Sequence, residues 1–444
     1  MRLFGTDGIR AKAGEFPLDE TTVYCFGRSL ADRFAAVLGR EPSFITGRDT
    51  RESGYWIEQA LHRGLRAAGS ESSSAGVITT PGVAFVTRAG KFDAGIVVSA
   101  SHNPYADNGL KVFLPSGRKM GEDLERSIEA DIAKGCPEPD VTSVDLGDAS
   151  DHHQVYLEHL CSVARNVDAN GMRLVLDCAY GAASSFAPTV FASTKAEVSA
   201  INLEPNGRNI NENCGSLHLE GLREQVLKSH ADLGIAFDGD ADRALFVDEA
   251  GEVVDGDAAM FLLARHMLSN SALKNKKVVA TVMSNIGLEK AFARDGIEMI
   301  RADVGDKYVL ESLLATESEL GGEQSGHIIF PKRSLVGDGM MTGLLLIKAL
   351  AESKLTLSQA VSDFERFPQV LVNVPVASKP EMLSIPAIAD AAAQIDRALD
   401  GNGRLLLRYS GTENLARVMI EGPELRYIKE LADGLAGVIQ DEIG

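Results

Sequence analysis

The sequence predicts an α/β protein: three related doubly wound α/β domains and a smaller C-terminal α+β domain around a central cleft. Three observations carry this expectation. An apolar strand running into a small-residue turn and an amphipathic helix recurs at roughly even spacing, as Phe44-Ile45-Thr46 into Gly47-Arg48-Asp49, Leu174-Val175-Leu176 into Asp177 and Gly181, and Val278-Val279-Ala280 into Ser284-Asn285. Asp93-Ala94-Gly95-Ile96-Val97-Val98 enters Ser99-Ala100-Ser101-His102 much as Asp232-Leu233-Gly234-Ile235-Ala236-Phe237 enters Asp238-Gly239-Asp240, and Glu319-Leu320-Gly321-Gly322 before Glu323-Gln324-Ser325 is a weaker copy. Ligands of open α/β sheets collect beyond the carboxyl ends of the strands, so these loops can face one cleft. From Phe367 the pattern changes to a strand over 370–374, a helix over 385–399, a strand over 404–408 and a terminal amphipathic helix. The expected domains are therefore 1–150, 151–250, 251–366 and 367–444.

A chain of 444 residues is long for one hydrophobic core, and 45% apolar with 24% charged residues is ordinary for a folded globular protein. The formal net charge of -19 opposes a nucleic-acid groove or an anionic membrane surface, both of which need clustered Lys and Arg. A phosphate site on such a chain has to be assembled locally against the overall field. Cys25, Cys136, Cys161, Cys178 and Cys214 are odd in number and include no C-x-x-C pair, so they read as reduced packing thiols. Met1 to Arg10 lacks a signal-peptide core, and no later run reaches membrane-spanning length. A cytoplasmic protein with neither membrane nor nucleic-acid partner is expected, as a monomer or homodimer.

Asp238, Asp240 and Asp242 alternate along one loop, which lets three carboxylates converge on a hard divalent cation. A calcium loop is opposed by Arg243 where a sharp turn needs Gly, and by strand-like rather than helical flanks, although Glu249 falls at the twelfth position. The other plain alternative is a solvated turn, which Arg243 disfavours because a cation beside a metal triad suggests an anion between them. Ser101 lies just past an apolar strand, where most serines only cap turns. No G-x-S-x-G elbow surrounds it, which disfavours acyl transfer; metal and Arg nearby would suit attack on phosphate. Lys111 is placed to stabilise a bridging oxygen or carry a proton, against the plain reading of a surface lysine. Glu323, Ser325 and His327 sit on a glycine-flanked loop suited to sugar hydroxyls and proton transfer. Arg408, Ser410, Gly411 and Thr412, with Arg417 nearby, look like a nest for phosphate.

With these residues in hand, the chain resembles the α-D-phosphohexomutase superfamily over nearly its whole length. Phe4-Gly5-Thr6-Asp7-Gly8-Ile9-Arg10, Ser99 to Pro104, Asp238 to Arg243, Val304-Gly305-Asp306-Lys307-Tyr308, Gly321 to His327 and Ser410 to Glu413 fall in the family's order. The resemblance implies four domains that each lend a loop to the cleft, and a phosphorylated Ser101 whose oxygen completes a site for one Mg²⁺ with Asp238, Asp240 and Asp242. It also implies sugar contacts from Glu323 and Ser325 and a far phosphate on Arg408, Ser410, Gly411, Thr412 and Arg417. Charge stabilisation around the transferred phosphoryl is expected from Arg10, Lys111 and Arg243, and Arg48 is expected as a further substrate contact. Lys111 and His327 are the candidate proton carriers.

The sugar loop Glu323-Gln324-Ser325 is similar to that of superfamily members acting on glucosamine phosphate, whereas those acting on mannose and glucose phosphates usually carry Met where Gln324 stands. The expected reaction interconverts glucosamine 6-phosphate and glucosamine 1-phosphate through glucosamine 1,6-bisphosphate, serving cell-wall precursor synthesis. The alternatives are the glucose or mannose reaction, a silent sugar-phosphate sensor, or a phosphatase. Ala241 stands where Gly is common, Tyr409 where Lys often stands and Asn414 where Pro is usual; none of these removes a ligand.

Overall fold

The computed structural model describes residues 2–5, 7–137, 143–410 and 413–444, and these fall into two compact units, Met1–Thr281 with Ile300–Val361 and Val282–Met299 with Ser362–Gly444. In the first unit the chain runs β1 (Ile9–Lys12), α1 (Glu20–Leu38), β2 (Ser43–Arg48), α2 (Ser53–Ala67), β3 (Glu71–Val77), α3 (Thr80–Ala89), β4 (Ala94–Val98), β5 (Asp107–Phe113) and α4 (Glu122–Lys134). It continues with α5 (Ser150–Ala164), β6 (Arg173–Asp177), α6 (Ala187–Ala192), β7 (Glu197–Ile201), α7 (Glu220–Ser229), β8 (Leu233–Phe237), β9 (Ala244–Asp248) and β10 (Val253–Val254). Then come α8 (Gly256–Ser269), β11 (Lys277–Thr281), α9 (Ile286–Arg294), β12 (Glu298–Ala302), α10 (Asp306–Thr316), β13 (Leu320–Gly322), β14 (Ile328–Ile329), α11 (Gly339–Ser353) and α12 (Leu357–Val361), of which α9 belongs to the second unit.

Three mixed sheets share one plan. Their orders are β1-β5-β4-β2-β3, β10-β9-β8-β6-β7 and β12-β11-β13-β14. In the first two, β2 and β6 are each parallel to both their neighbours, and the antiparallel strands β5 and β9 follow β4 and β8. The third sheet keeps this in its parallel β11–β13 and antiparallel β13–β14 pairs. β4, β8 and β13 thus occupy equivalent positions, and the loops after them are the three that the sequence parallel singled out. Ala94–Val98 and Leu233–Phe237 are buried throughout, as strands covered on both faces must be, which is why they read as unbroken apolar runs. Asp19, Thr79, Asp255 and Asp338 cap α1, α3, α8 and α11, each side chain accepting a free backbone N–H of the first turn.

The second unit carries the antiparallel sheet β15 (Gln369–Pro375), β17 (Leu415–Glu421) and β16 (Arg404–Tyr409), in that order, with α13 (Pro386–Leu399) and α14 (Leu425–Ile443). Ile388, Ile395, Val418, Ile420, Ile428 and Leu435 form its core. These elements follow the expected strand, helix, strand and terminal helix closely.

The cysteines depart from expectation. Cys25 and Cys136 are joined as a disulfide with their Cα atoms 5.6 Å apart, while Cys161, Cys178 and Cys214 are buried free thiols. Asp131 of α4 accepts hydrogen bonds from Ser29 and Arg33 of α1, and this packing brings together two cysteines 111 positions apart. Sequence spacing carries no trace of such a contact.

Candidate functional site

Ser101 follows the buried strand β4 in a left-handed backbone conformation, φ 52°. Its Oγ donates to Asp238 Oδ2 at 2.5 Å and lies 3.3 Å from His102 Nδ1. Burial, and then Arg243 and Arg10, press His102 down to a pKa of about 4, which leaves its ring neutral at pH 7. The serine that sequence alone would read as a turn cap therefore faces a carboxylate from another domain.

That carboxylate belongs to the loop after β8. Asp238, Asp240 and Asp242 are all buried, and they place one carboxylate oxygen each within 4.8 Å of the others. Lys111, buried on β5, donates to Asp240 Oδ2 at 3.0 Å and lies 3.5 Å from Asp242 Oδ2 and 3.2 Å from Asp7 Oδ2. Thr80 Oγ1 donates to Asp240 Oδ2 at 2.5 Å. Arg243 Nε is 3.7 Å from Asp242 Oδ1, and its backbone N–H donates to Asp238 Oδ1 at 3.2 Å. Burial, together with Asp242 and Asp240, pushes Asp238 well above the usual carboxylate range. Burial acts on Asp242 the same way, but Lys111, His327 and Arg243 outweigh it and hold Asp242 well below that range. Lys111 is kept cationic by Asp240, Asp7 and Asp242 against its own burial.

The donor set fits a hard divalent cation. Every candidate ligand is a carboxylate oxygen, and Asp240 Oδ1 and Asp242 Oδ1 are buried without a hydrogen-bond partner among the described residues. A calcium loop is excluded by the flanking strands β8 and β9, and Glu249 instead accepts Ser358 Oγ at 2.5 Å.

His327, between β13 and β14, brings Nδ1 within 3.6 Å of Asp242 Oδ2. Burial lowers its pKa, but Asp242 raises it further, to about 9. Glu323 accepts the Gly305 N–H at 3.0 Å, and Ser325 Oγ donates to Glu323 at 3.4 Å. The same loop is tied to β9 by Ala244 N–H to the Gly326 carbonyl at 3.2 Å, one residue from Arg243. Arg10 joins through Asp7, which it pairs with directly. Asp7 also holds Lys111 and Lys119, making it the hinge of a cation network.

Arg48, expected as a substrate contact, has its partners on α2. It pairs with Glu58 of α2 and lies over the Tyr55 ring, 5.6 Å from its centroid. Glu58 is fully buried and needs a cation, and Arg48 answers that need. Residues that sequence reasoning passed over include Asp7, Thr80, Asp49, Arg51, Ser99 and Asn211. Asp7, Asp49 and Ser99 lay inside quoted segments without being singled out; Thr80, Arg51 and Asn211 become visible only in the folded chain.

In the second unit Arg408 and Arg417 stand directly opposite on β16 and β17. Burial and Arg417 both lower the Arg408 pKa, since like charges facing across a sheet repel. Arg417 Nη2 donates to Ser410 Oγ at 3.3 Å, and Lys379 Nζ to the Ser410 carbonyl at 2.8 Å. Arg417 thus meets the Ser410 hydroxyl and Lys379 its carbonyl, while that hydroxyl also donates to Glu413 at 3.4 Å. Gly411 and Thr412 lie outside the described residues. Among the described residues no helix is long and apolar enough to cross a membrane.

Residues 1–137, 154–251 and 255–367 match the phosphoglucomutase/phosphomannomutase alpha/beta/alpha domains I, II and III, and residues 371–438 match the C-terminal domain of that family. The chain is 47% identical over 447 residues to a phosphoglucosamine mutase of Solibacter usitatus, covering 100% of this chain and 99% of the relative. It is 43% identical over 441 residues to one of Rhodococcus jostii, covering 99% of each. Among solved structures, a phosphoglucomutase/phosphomannomutase family protein of Burkholderia thailandensis aligns with TM-score 0.81 at 23% identity, covering 99% of this chain and 97% of that one. N-acetylphosphoglucosamine mutase of Aspergillus fumigatus, solved with GlcNAc-6P and magnesium, aligns with TM-score 0.67 at 20% identity, covering 99% and 95%.

Proposed function

The chain belongs to the phosphoglucomutase/phosphomannomutase family, and from that premise we propose that it catalyses the phosphoglucosamine mutase reaction, interconverting glucosamine 6-phosphate and glucosamine 1-phosphate in the cytoplasm. The observation that carries this is the Ser101 hydroxyl resting on Asp238 within the buried carboxylate cluster, with Lys111 bound to the same cluster. Phosphorylated Ser101 gives its phosphoryl to O1 of glucosamine 6-phosphate: the P–O bond to serine breaks, a P–O1 bond forms, and the O1 proton leaves to a base. The resulting glucosamine 1,6-bisphosphate turns over and returns its 6-phosphoryl to Ser101, which frees glucosamine 1-phosphate.

Asp238, Asp240 and Asp242, with an oxygen on Ser101, would hold one Mg²⁺, which supplies charge neutralisation to the transferred group. Arg243, Lys111 and Arg10 add positive charge around the same group. Lys111 and His327 are the proton carriers, and Glu323 and Ser325 orient the sugar hydroxyls. Arg408, Ser410, Gly411, Thr412 and Arg417 bind the phosphate that is not reacting. A purely sensory role is disfavoured because binding alone does not require a nucleophile set among metal-ligating carboxylates.

The test is turnover of glucosamine, glucose and mannose 6-phosphates with Mg²⁺ and a trace of the matching bisphosphate. The highest kcat/KM is expected for the glucosamine substrate; a higher value for glucose or mannose would reassign the substrate. Ser101→Ala should lower kcat by ~10³-fold or more and weaken Mg²⁺ binding measured by calorimetry. Near-normal activity in that variant would overturn the phosphoserine mechanism.

A further inference from the structure

We propose that Arg51, assisted by Asn211, is a positioning residue that locks the backbone of the nucleophile loop so that Ser101 Oγ meets the carboxylate cluster. The inference rests on Ser101 being the nucleophile. A left-handed backbone at a non-glycine residue costs ~1 kcal/mol or more and persists only when its surroundings over-determine it. At Ser101 they do.

Arg51, fully buried in the loop between β2 and α2, uses all of its N–H groups. Nε donates to Asp49 Oδ2 at 2.9 Å, Nη2 to the Ser101 and Asn103 carbonyls at 2.9 Å each, and Nη1 to the Asp107 carbonyl at 3.1 Å and to that of Pro104. Asn211, from the second α/β domain, grips the same Ser101 and Asn103 carbonyls at 2.9 and 3.1 Å. The other side of the Ser101 peptide is tied back to the same pair: its N–H donates to Ser99 Oγ at 2.9 Å, and Ser99 Oγ donates to Asp49 Oδ2 at 2.7 Å. Both the N–H and the carbonyl of the nucleophile therefore lead to one Arg51–Asp49 ion pair. The planar guanidinium suits this role because it presents fixed donors in several directions, which a lysine ammonium cannot reproduce.

Arg51→Lys keeps the charge opposite Asp49 but loses most of the carbonyl bonds. Its kcat should fall ~10²-fold or more, the loss typical of an ångström-scale misplacement, with KM for glucosamine 6-phosphate within about twofold. Asn211→Ala, which removes the second grip only, should lower kcat ~10-fold with KM again steady. In both variants the ³¹P resonance of phosphorylated Ser101 should shift or broaden, a change that loss of global stability alone does not produce in the folded fraction. Wild-type kcat and an unchanged ³¹P resonance in the folded variants would overturn the proposal, as would a loss confined to KM. If Arg51→Lys does not fold, Asn211→Ala and Ser99→Ala decide by the same criteria. Ser101→Ala is assayed alongside: if it remains active, the nucleophile assignment fails; if it is inactive while the positioning variants behave as wild type, only the present inference fails.

Discussion

At the scale of single residues the site is built by close approach. Gly239 lies between two of the metal-loop carboxylates, where an added Cβ would sit 2.6 Å from the Ser101 carbonyl oxygen and 2.7 Å from Ile210 Cδ1. Gly239→Ala should therefore push the metal loop off the nucleophile loop, costing ~1–3 kcal/mol in thermal melts and lowering kcat at least ~10-fold. A variant with unchanged melting and turnover would show that the two loops do not depend on this contact. Ala241, two residues on, adopts φ 56° although it carries a side chain. Glycine would relieve ~1–2 kcal/mol there but would lose a buried methyl worth ~0.8 kcal/mol and gain freedom when unfolded, so Ala241→Gly should move stability by less than about 1 kcal/mol. The arginines show how far sequence reaches at this scale. Arg48 and Arg51 flank the same turn, and neither composition nor spacing says that Glu58 claims the first while the nucleophile loop claims the second.

At the scale of elements, α2 is fastened to β2 and β3 through polar side chains that periodicity cannot rank. Thr46 and Ser74 donate to Glu58 Oε1 at 2.5 and 2.6 Å, and His62 lies 2.8 Å from both Thr46 Oγ1 and Ser72 Oγ. Burial, then Arg66, depresses the His62 pKa from 6.5 to about 3. Its folded form thus stays neutral where the unfolded chain binds a proton. The stabilisation is complete above pH 6.5 and is lost as pH falls toward 3, at ~1.4 kcal/mol per pH unit at most. Urea unfolding of wild type and His62→Gln at pH 7 and pH 5 should show their stability difference shifting by about 2 kcal/mol against the wild type at the lower pH. Parallel curves would contradict a neutral buried imidazole. Of the two strands, β2 was legible from its apolar Phe44-Ile45-Thr46 run, whereas β3, at the sheet edge with the sequence ESSSAGV, offers no such run.

At the scale of the whole molecule, one hydroxyl joins the three α/β domains of the first unit. Thr79 donates to the Tyr156 hydroxyl at 3.0 Å, and that hydroxyl donates to Asp338 at 3.4 Å, beside the Gly339 N–H that binds the Ala241 carbonyl of the metal loop. Tyr156→Phe should cost ~1–3 kcal/mol by leaving buried polar atoms unpaired, read from denaturant melts. A cation bound only by the folded triad should stabilise the protein by ~2.7 kcal/mol at a hundredfold excess over its Kd, so EDTA should lower Tm and Asp240→Asn should abolish the Mg²⁺-dependent part of that shift. By itself the sequence pointed to the four-part α/β plan, the carboxylate triad Asp238, Asp240 and Asp242, and the loops that carry Ser101 and Glu323 to His327, because each is a local pattern of strand, turn and polar residue. Tertiary structure alone decided the Cys25–Cys136 bond, the diversion of Arg48 to Glu58 and the grip of Arg51 and Asn211 on Ser101. Each of these satisfies a buried charge, thiol or carbonyl with a group on another element, and such pairings exist only once packing has removed water.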